Sequence, residues 1–189
     1  QYDVFIDKIA PLVPRYLRYT VPERLSVGGE ILKALDEETV HNLLFKLEKN
    51  GVESVAIGFL HAYVDDCHEQ RARDILRAGN SNFSITLSSE VCPEVREYER
   101  FTTATANAYV QPLMARYLSR LKVALDKRGL AGALFMMTSG GGLTTLETAV
   151  RFPIRLVESG PAGGAILASG VAAQCRANQA LSFDMGGTT

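Results

Sequence analysis

The sequence predicts an α/β fold, a layered mixed sheet with helices on both faces. Short, nearly continuous apolar runs at 52–60, 83–87 and 133–137 have the pattern of strands covered on both sides. Between them lie stretches whose apolar residues recur at helical spacing, so helix alternates with strand as layering requires. Glycines punctuate the alternation: Gly51, Gly79 and Gly129 each close a helical stretch.

Taken in order, residues 1–20 read as an extended connector around Pro11 and Pro14, feeding a short strand at 17–21. Glu23 and Arg24 before the Gly28-Gly29 turn read as an exposed ion pair. Asp36 caps a helix with Glu37 and Glu38 in its first turn and Val40, Leu43, Leu44 and Leu47 on one face. The 52–60 strand follows, then a helix over 66–78 with Ile75 and Leu76 inward, then the 83–87 strand. A long helical stretch opens at 97 and is expected to break at Pro112, the first residue of a second helix. Residues 102–108 are almost all small, which marks a helix pressed against the sheet. After the 133–137 strand comes a short helix introduced by the capping spacing Thr144-x-x-Glu147, then a strand at 154–157 that hands over to Ser159-Gly160, with Pro161 favourable as the first residue of a further helix.

The 189 residues, 47% of them hydrophobic, can bury a real core. Twenty basic against twenty-one acidic residues leave a net charge of −1, so no basic field invites nucleic acid or an anionic membrane. The stretch 162–173 is too short to span a bilayer. Cys67, Cys92 and Cys175 are scattered and odd in number, which suits buried thiols in a reducing compartment and makes cytoplasm the default. The chain opens on Gln1 without a methionine or a signal-peptide pattern, which reads as a piece of a longer protein.

Three glycine clusters carry the chemistry. The first, Ser139-Gly140-Gly141-Gly142, is placed between a strand and a helix, the layout in which free amides and the helix dipole favour an anion. In the second, from Ser159 and Gly160 to Gly163 and Gly164, glycines in a first helical turn cost roughly 1 kcal/mol each relative to alanine. Either tight helix–sheet packing or an approaching ligand accounts for them. In the third, apolar Leu181 and Phe183 lead as a buried strand into Asp184, Gly186, Gly187 and Thr188. That turn is either a hairpin requiring glycine or a phosphate cradle in which Asp184 holds Mg²⁺ or its water.

Elsewhere, His61 lies just past the carboxyl end of the 52–60 strand, with His68 and Glu69 in the next helix, and that edge is where ligands gather in open α/β sheets. A loop-fastening hydrogen bond, a substrate-side cluster and a metal site with Asp65 or Asp66 are all open there. Arg100 and Asn107 are polar in an apolar setting and need partners, either a structural network or, for Arg100, a phosphate or carboxylate.

The stretch VESGPAGG at 157–164, followed by FDMGGT at 183–188, resembles the hydantoinase A/oxoprolinase family. The resemblance extends upstream through VPER at 21–24, FLHAY at 59–63 with His68-Glu69, and EYER at 97–100 with Asn107-Ala108-Tyr109. It implies a ribonuclease H-like, actin-like ATPase lobe, with residues 1–150 as the later part of the family's N-terminal domain and 151–189 as the start of its catalytic domain. It also implies a middle piece of a longer enzyme that uses ATP and Mg²⁺ to activate a hydantoin, 5-oxoproline or a ketone, working with a hydantoinase B-type subunit or fused domain. Asp184 would serve the metal, and Gly186, Gly187, Thr188 and the 139–142 and 159–164 loops the nucleotide. By the same token the isolated piece is expected to be inactive, because the superfamily's ATP site lies between two lobes. The catalytic base is not assigned; His61, His68, Glu69 and Arg100 are the candidate catalytic residues. The sequence departs from the family's pattern at Ala62 and Thr189, where serine is usual, and at Gly140, where asparagine is usual.

Overall fold

The computed structural model describes residues 10–80, 82–130 and 132–185. These fall into two compact units, Gln1–Tyr109 and Val110–Thr189, and each is taken by itself.

In the first unit a hairpin pairs β1 (Arg24–Leu25) antiparallel with β2 (Ile31–Lys33). Ser26 Oγ accepts from the amides of Gly28 and Glu30, and Gly29 takes φ +89°, a left-handed turn conformation that favours glycine. Upstream, the expected strand at 17–21 is absent and Arg15–Leu17 forms a 3₁₀ turn, because Pro14 precedes it and the Leu17 amide closes back onto the Pro14 carbonyl.

Helix α1 (Glu37–Lys49) is capped as the sequence predicts. The Asp36 carboxylate accepts from the Thr39 amide and hydroxyl, which hold it below the ordinary carboxylate range. Strand β3 (Ser54–Ile57), helix α2 (Cys67–Gly79) and strand β4 (Ser84–Leu87) then form a parallel βαβ unit in register from Ser54–Ser84 to Ile57–Leu87.

Strand alternation sorts the contacts of this pair. Ile57, Ile85 and Leu87 join Val40 and Leu47 of α1 and Ala72, Ile75 and Leu76 of α2 in the core. On the opposite face, Thr86 receives the amide of Asn107 at 3.0 Å, and Ala104 and Ala108 are buried. Helices therefore cover both faces of this pair.

Beyond β4 lie α3 (Ser88–Val91) and α4 (Glu97–Lys127). The predicted break at Pro112 does not occur, and α4 runs through it for 31 residues. Proline at 112 has no N–H to give the carbonyl four residues back, that of Ala108. Ser54 Oγ takes its place, donating to the Ala108 oxygen at 2.6 Å. The small stretch 102–108 brings the helix close enough to β3 for this contact. Gly58 is equally constrained, since a Cβ there would meet the Phe101 ring at 2.5 Å.

In the second unit, strands β5 (Phe135–Met137) and β6 (Leu143–Thr145) pair antiparallel, followed by α5 (Leu146–Arg151) and α6 (Ser159–Gln174). Two local expectations are corrected. The cap of α5 is Thr145, whose side chain accepts from the Thr148 amide, so the capping pair is one residue later than the Thr144/Glu147 spacing suggested. The strand expected at 154–157 is a 3₁₀ turn over Pro153–Leu156, since Pro153 is buried with its φ fixed and the Arg155 carbonyl is committed to Ser139.

None of α6 is buried, and Ile166, Leu167 and Val171 stand exposed. Residues 181–185 are not a strand: Leu181 and Phe183 are 92% and 80% exposed, with no ladder partner among the described residues. Across those residues the strands form three two-stranded sheets rather than one. No helix among them is long and apolar enough to cross a membrane.

Candidate functional site

The parallel pair directs the carboxyl ends of β3 and β4 to one edge, and there the chain has built a buried polar clamp. Glu69, fully buried on α2, accepts from the Phe59 amide at 3.0 Å and the Ser88 hydroxyl at 2.5 Å through Oε1. Its Oε2 accepts from the Ser89 amide at 3.0 Å and the Ser89 hydroxyl at 2.8 Å. Arg100, also fully buried, donates to Ser88 Oγ at 3.2 Å, to the Glu94 carbonyl at 2.8 Å and to the Phe59 carbonyl at 2.9 Å.

The Phe59 backbone is thus gripped at both poles, by a carboxylate on its N–H and a guanidinium on its C=O. This grip also accounts for the shortness of β3, predicted over 52–60 but ending at Ile57: the hydrogen bonds of Phe59 go to side chains instead of a neighbouring strand. Of the two readings of Arg100, the geometry displays the structural network. Its guanidinium also lies 5.3 Å from the Tyr63 ring and 5.2 Å from the Phe101 ring.

Two residues past the clamp, His61 adopts φ +60°, and its carbonyl accepts from the amides of Val64 and Asp65. Its ring meets Tyr63 edge-on at 6.1 Å, and its Nδ1 is buried with no hydrogen-bond partner. Nearby, the Glu97 carboxyl is held below its ordinary range by its own amide first, then by Arg100 and His61. The same loop, residues 62–66, lines an open cavity of about 380 Å³ together with Gly28, Gly29 and Ser89. Gly29 lies close to this loop, since a Cβ there would meet Val64 at 3.2 Å.

His61 and His68 do not converge. His68 Nδ1 pairs with Glu23 Oε2 at 2.9 Å, both side chains under a tenth exposed, so Glu23 is a buried partner of His68 and not the surface partner of Arg24. Among the described residues no group of three His, Cys, Asp or Glu side chains is assembled to hold a metal. Sequence reasoning missed Ser88 and Ser89 and gave Glu23 the wrong partner. The two serines directly after the β4 run were the available signal; nothing local pointed to Glu23.

In the second unit, the 139–142 glycines do not lead into a helix. They form the β5–β6 turn, closed by the Thr138 amide on the Gly142 carbonyl and the Gly141 amide on the Thr138 carbonyl, with Gly141 at φ +80°. The Ser139 amide and hydroxyl both donate to the Arg155 carbonyl. The amides of Gly140 and Gly142 make no hydrogen bond among the described residues.

The helix start beside this turn is that of α6. Gly163 faces Met137 at 3.9 Å, and a Cβ on Gly141 would meet Ile166 at 2.8 Å. Packing therefore explains Gly141, whereas Cβ atoms on Gly140, Gly160 and Gly164 would meet nothing within 4 Å. The Ser159 and Gly160 amides precede the first intrahelical acceptor, and the N-cap residue Glu158, at φ +61°, supplies no side-chain cap. Arg151 and Arg155 both lie over the Phe152 ring, adding positive charge to the segment that anchors Ser139. Of the third cluster, Asp184 is exposed, and Gly186, Gly187 and Thr188 lie outside the described residues.

Comparison with known proteins gives concordant matches. The family models described as hydantoinase/oxoprolinase N-terminal region and hydantoinase/oxoprolinase match residues 1–79 and 100–189. The chain is 39% identical over 188 residues to an uncharacterised protein of Methanocaldococcus jannaschii, covering all of this chain and 28% of that protein. It is 31% identical over 189 residues to the caprolactamase subunit alpha of Pseudomonas jessenii, covering 27% of that subunit. The crystal structure of that organism's ATP-dependent caprolactamase superposes with a TM-score of 0.81 at 30% identity, over 100% of this chain and 27% of that one. A nucleotide-free acetone carboxylase, from work on ATP-dependent acetone carboxylation, also gives 0.81, at 26% identity over 90% of this chain and 24% of that one. The chain thus spans well under a third of these proteins, and its mixed α/β arrangement is consistent with an actin-like ATPase lobe.

Proposed function

Because the chain belongs to the hydantoinase/oxoprolinase family, we propose that the whole protein couples ATP hydrolysis to the opening of a cyclic amide or the carboxylation of a ketone. The observation that carries this reading is the group of uncommitted donors in the second unit. The Gly140 and Gly142 amides lie on the hairpin turn beside the unclosed first turn of α6, and Gly160 and Gly164 leave open space there. The amides of Gly140, Gly142, Ser159 and Gly160, four donors without acceptors among the described residues, suit the phosphates of a nucleotide.

ATP, when bound, would supply a phosphoryl group to the oxygen of a poorly reactive carbonyl compound and so activate it. The chain's own contribution is to hold the phosphates through Gly140, Gly142, Ser159 and Gly160, with no side chain to crowd them. Gly186, Gly187 and Thr188 would extend the cradle. Asp184 would hold Mg²⁺, whose charge would offset that of the phosphates. The caprolactamase relative is a subunit by name, and a partner subunit or fused domain of the hydantoinase B type belongs to the same reading. The cytoplasm is its expected compartment.

The test is ADP release by the whole protein with its partner, supplied with ATP and Mg²⁺ and challenged in turn with caprolactam, hydantoin, 5-oxoproline and acetone. ADP release that requires one of these carbonyl compounds is the expected result. Phosphorylation of a sugar hydroxyl instead, or no nucleotide binding at all, would refute the proposal.

A further inference from the structure

We propose that His61 is a substrate-binding residue that donates a hydrogen bond from Nε2–H to the carbonyl oxygen of the amide or ketone. The inference rests on the carbonyl-activating reading above, and it begins from a residue that costs the fold stability. A non-glycine residue at φ +60° is strained, and a buried ring nitrogen without a partner forfeits a hydrogen bond. Both penalties fall on His61, while asparagine or glycine would sit there with less strain.

The orphan nitrogen fixes the tautomer. A proton on Nδ1 would be a buried N–H with no acceptor, which native structures avoid more strictly than an unmet lone pair. The proton therefore belongs on Nε2. That atom is not among the buried unpartnered ones and makes no hydrogen bond to any described residue, so it offers its N–H outward.

The surroundings hold the ring in this pose. The clamp on Phe59 anchors the chain two residues before it, and the Val64 and Asp65 amides hold its carbonyl. Tyr63 braces its ring, the planes inclined at 70°. The loop follows the carboxyl end of a parallel strand, where open α/β sheets bind ligands. The 380 Å³ cavity beside it is lined by residues 62–66 of the same loop, not by His61 itself, and is within the range of small-molecule pockets. A fixed donor of this kind strengthens its bond as the carbonyl oxygen gains negative charge, and no proton need leave the ring.

The experiment pairs a magnetic-resonance readout with kinetics on the whole protein and its partner subunit. Nitrogen-15 histidine spectra are expected to show His61 as the Nε2–H tautomer and to shift at Nε2 on saturation with caprolactam, hydantoin, 5-oxoproline or acetone. His61→Asn and His61→Gly are expected to melt no lower than the parent. Both should keep its affinity for ATP and lose about 100-fold or more in carbonyl-dependent kcat/KM, the scale of one lost oxyanion donor.

An Nδ1–H tautomer, an unmoved Nε2 signal with every probe, or undiminished turnover in both variants would overturn the assignment. So would a lowered melting point in both variants, the mark of a packing residue. A shifted Nε2 signal without any ATP consumption would keep His61 as a carbonyl-binding residue and count against the proposed function instead.

Discussion

Arg100→Ala is expected to cost the first unit about 3–5 kcal/mol, the scale of removing one member of a buried charged network. The side chain is fully buried, and its three donor groups serve Ser88, Glu94 and Phe59. Their removal leaves the Glu94 and Phe59 carbonyls, both in part-buried contacts, without these donors. Since a domain holds only about 5–15 kcal/mol in all, the loss is a large share of its stability.

Glu69→Gln should be nearly as damaging, although it preserves shape. Each recorded contact of the Glu69 carboxylate is with a donor: the amides of Phe59 and Ser89 and the hydroxyls of Ser88 and Ser89. A glutamine NH₂ turned toward either pair faces donors with donors. Urea unfolding followed by circular dichroism measures both variants. Losses below about 1 kcal/mol, the net worth of one ordinary hydrogen bond, would show that the clamp is not what holds the Phe59–His61 loop.

Gly160→Ala and Gly164→Ala are expected to move stability and nucleotide affinity in opposite directions. A Cβ at either position meets nothing within 4 Å, so each substitution should strengthen α6 by about 0.5–1 kcal/mol through helix propensity alone. The new methyl groups would stand where phosphate oxygens approach. The double variant should therefore bind ATP at least about tenfold more weakly, a loss of roughly 1.4 kcal/mol. Gly170→Ala is the internal control: it lies in the same helix with equal open space, so it should gain stability and leave ATP binding unchanged. Thermal melts and calorimetric titration decide the matter. Unaltered ATP affinity in the double variant would show that neither glycine is kept bare for the nucleotide.

What the sequence disclosed was local. The α1 cap at Asp36 and the inward stripe of Val40 and Leu47 follow from residues within a few positions of one another, and the structure places them as read. The parallel β3–α2–β4 unit was legible for the same reason.

The misreadings have long-range causes. Pro112 looked like a break because the residue that completes its hydrogen bonding, Ser54, lies on a strand more than fifty positions earlier. Residues 58–60 looked like strand because apolarity is the only signal there, and the carboxylate and guanidinium that seize Phe59 come from two separate helices. The 139–142 cluster looked like a strand-to-helix loop because glycine suits that turn and a hairpin equally, and only the register of Met137 with Leu143 separates them. At the candidate site, His61 was visible by position. The strain on its backbone and the isolation of its Nδ1 were not, since both arise from the fold around it.

Amide hydrogen exchange of the whole protein with and without a non-hydrolysable ATP analogue measures the nucleotide reading where it is most exposed. The account predicts slowed exchange at Gly140, Gly142, Ser159 and Gly160, four amides with no acceptor of their own among the described residues, while the Gly141 amide, already bonded to Thr138, stays unchanged. Saturating nucleotide that leaves those four amides exchanging as before would contradict it.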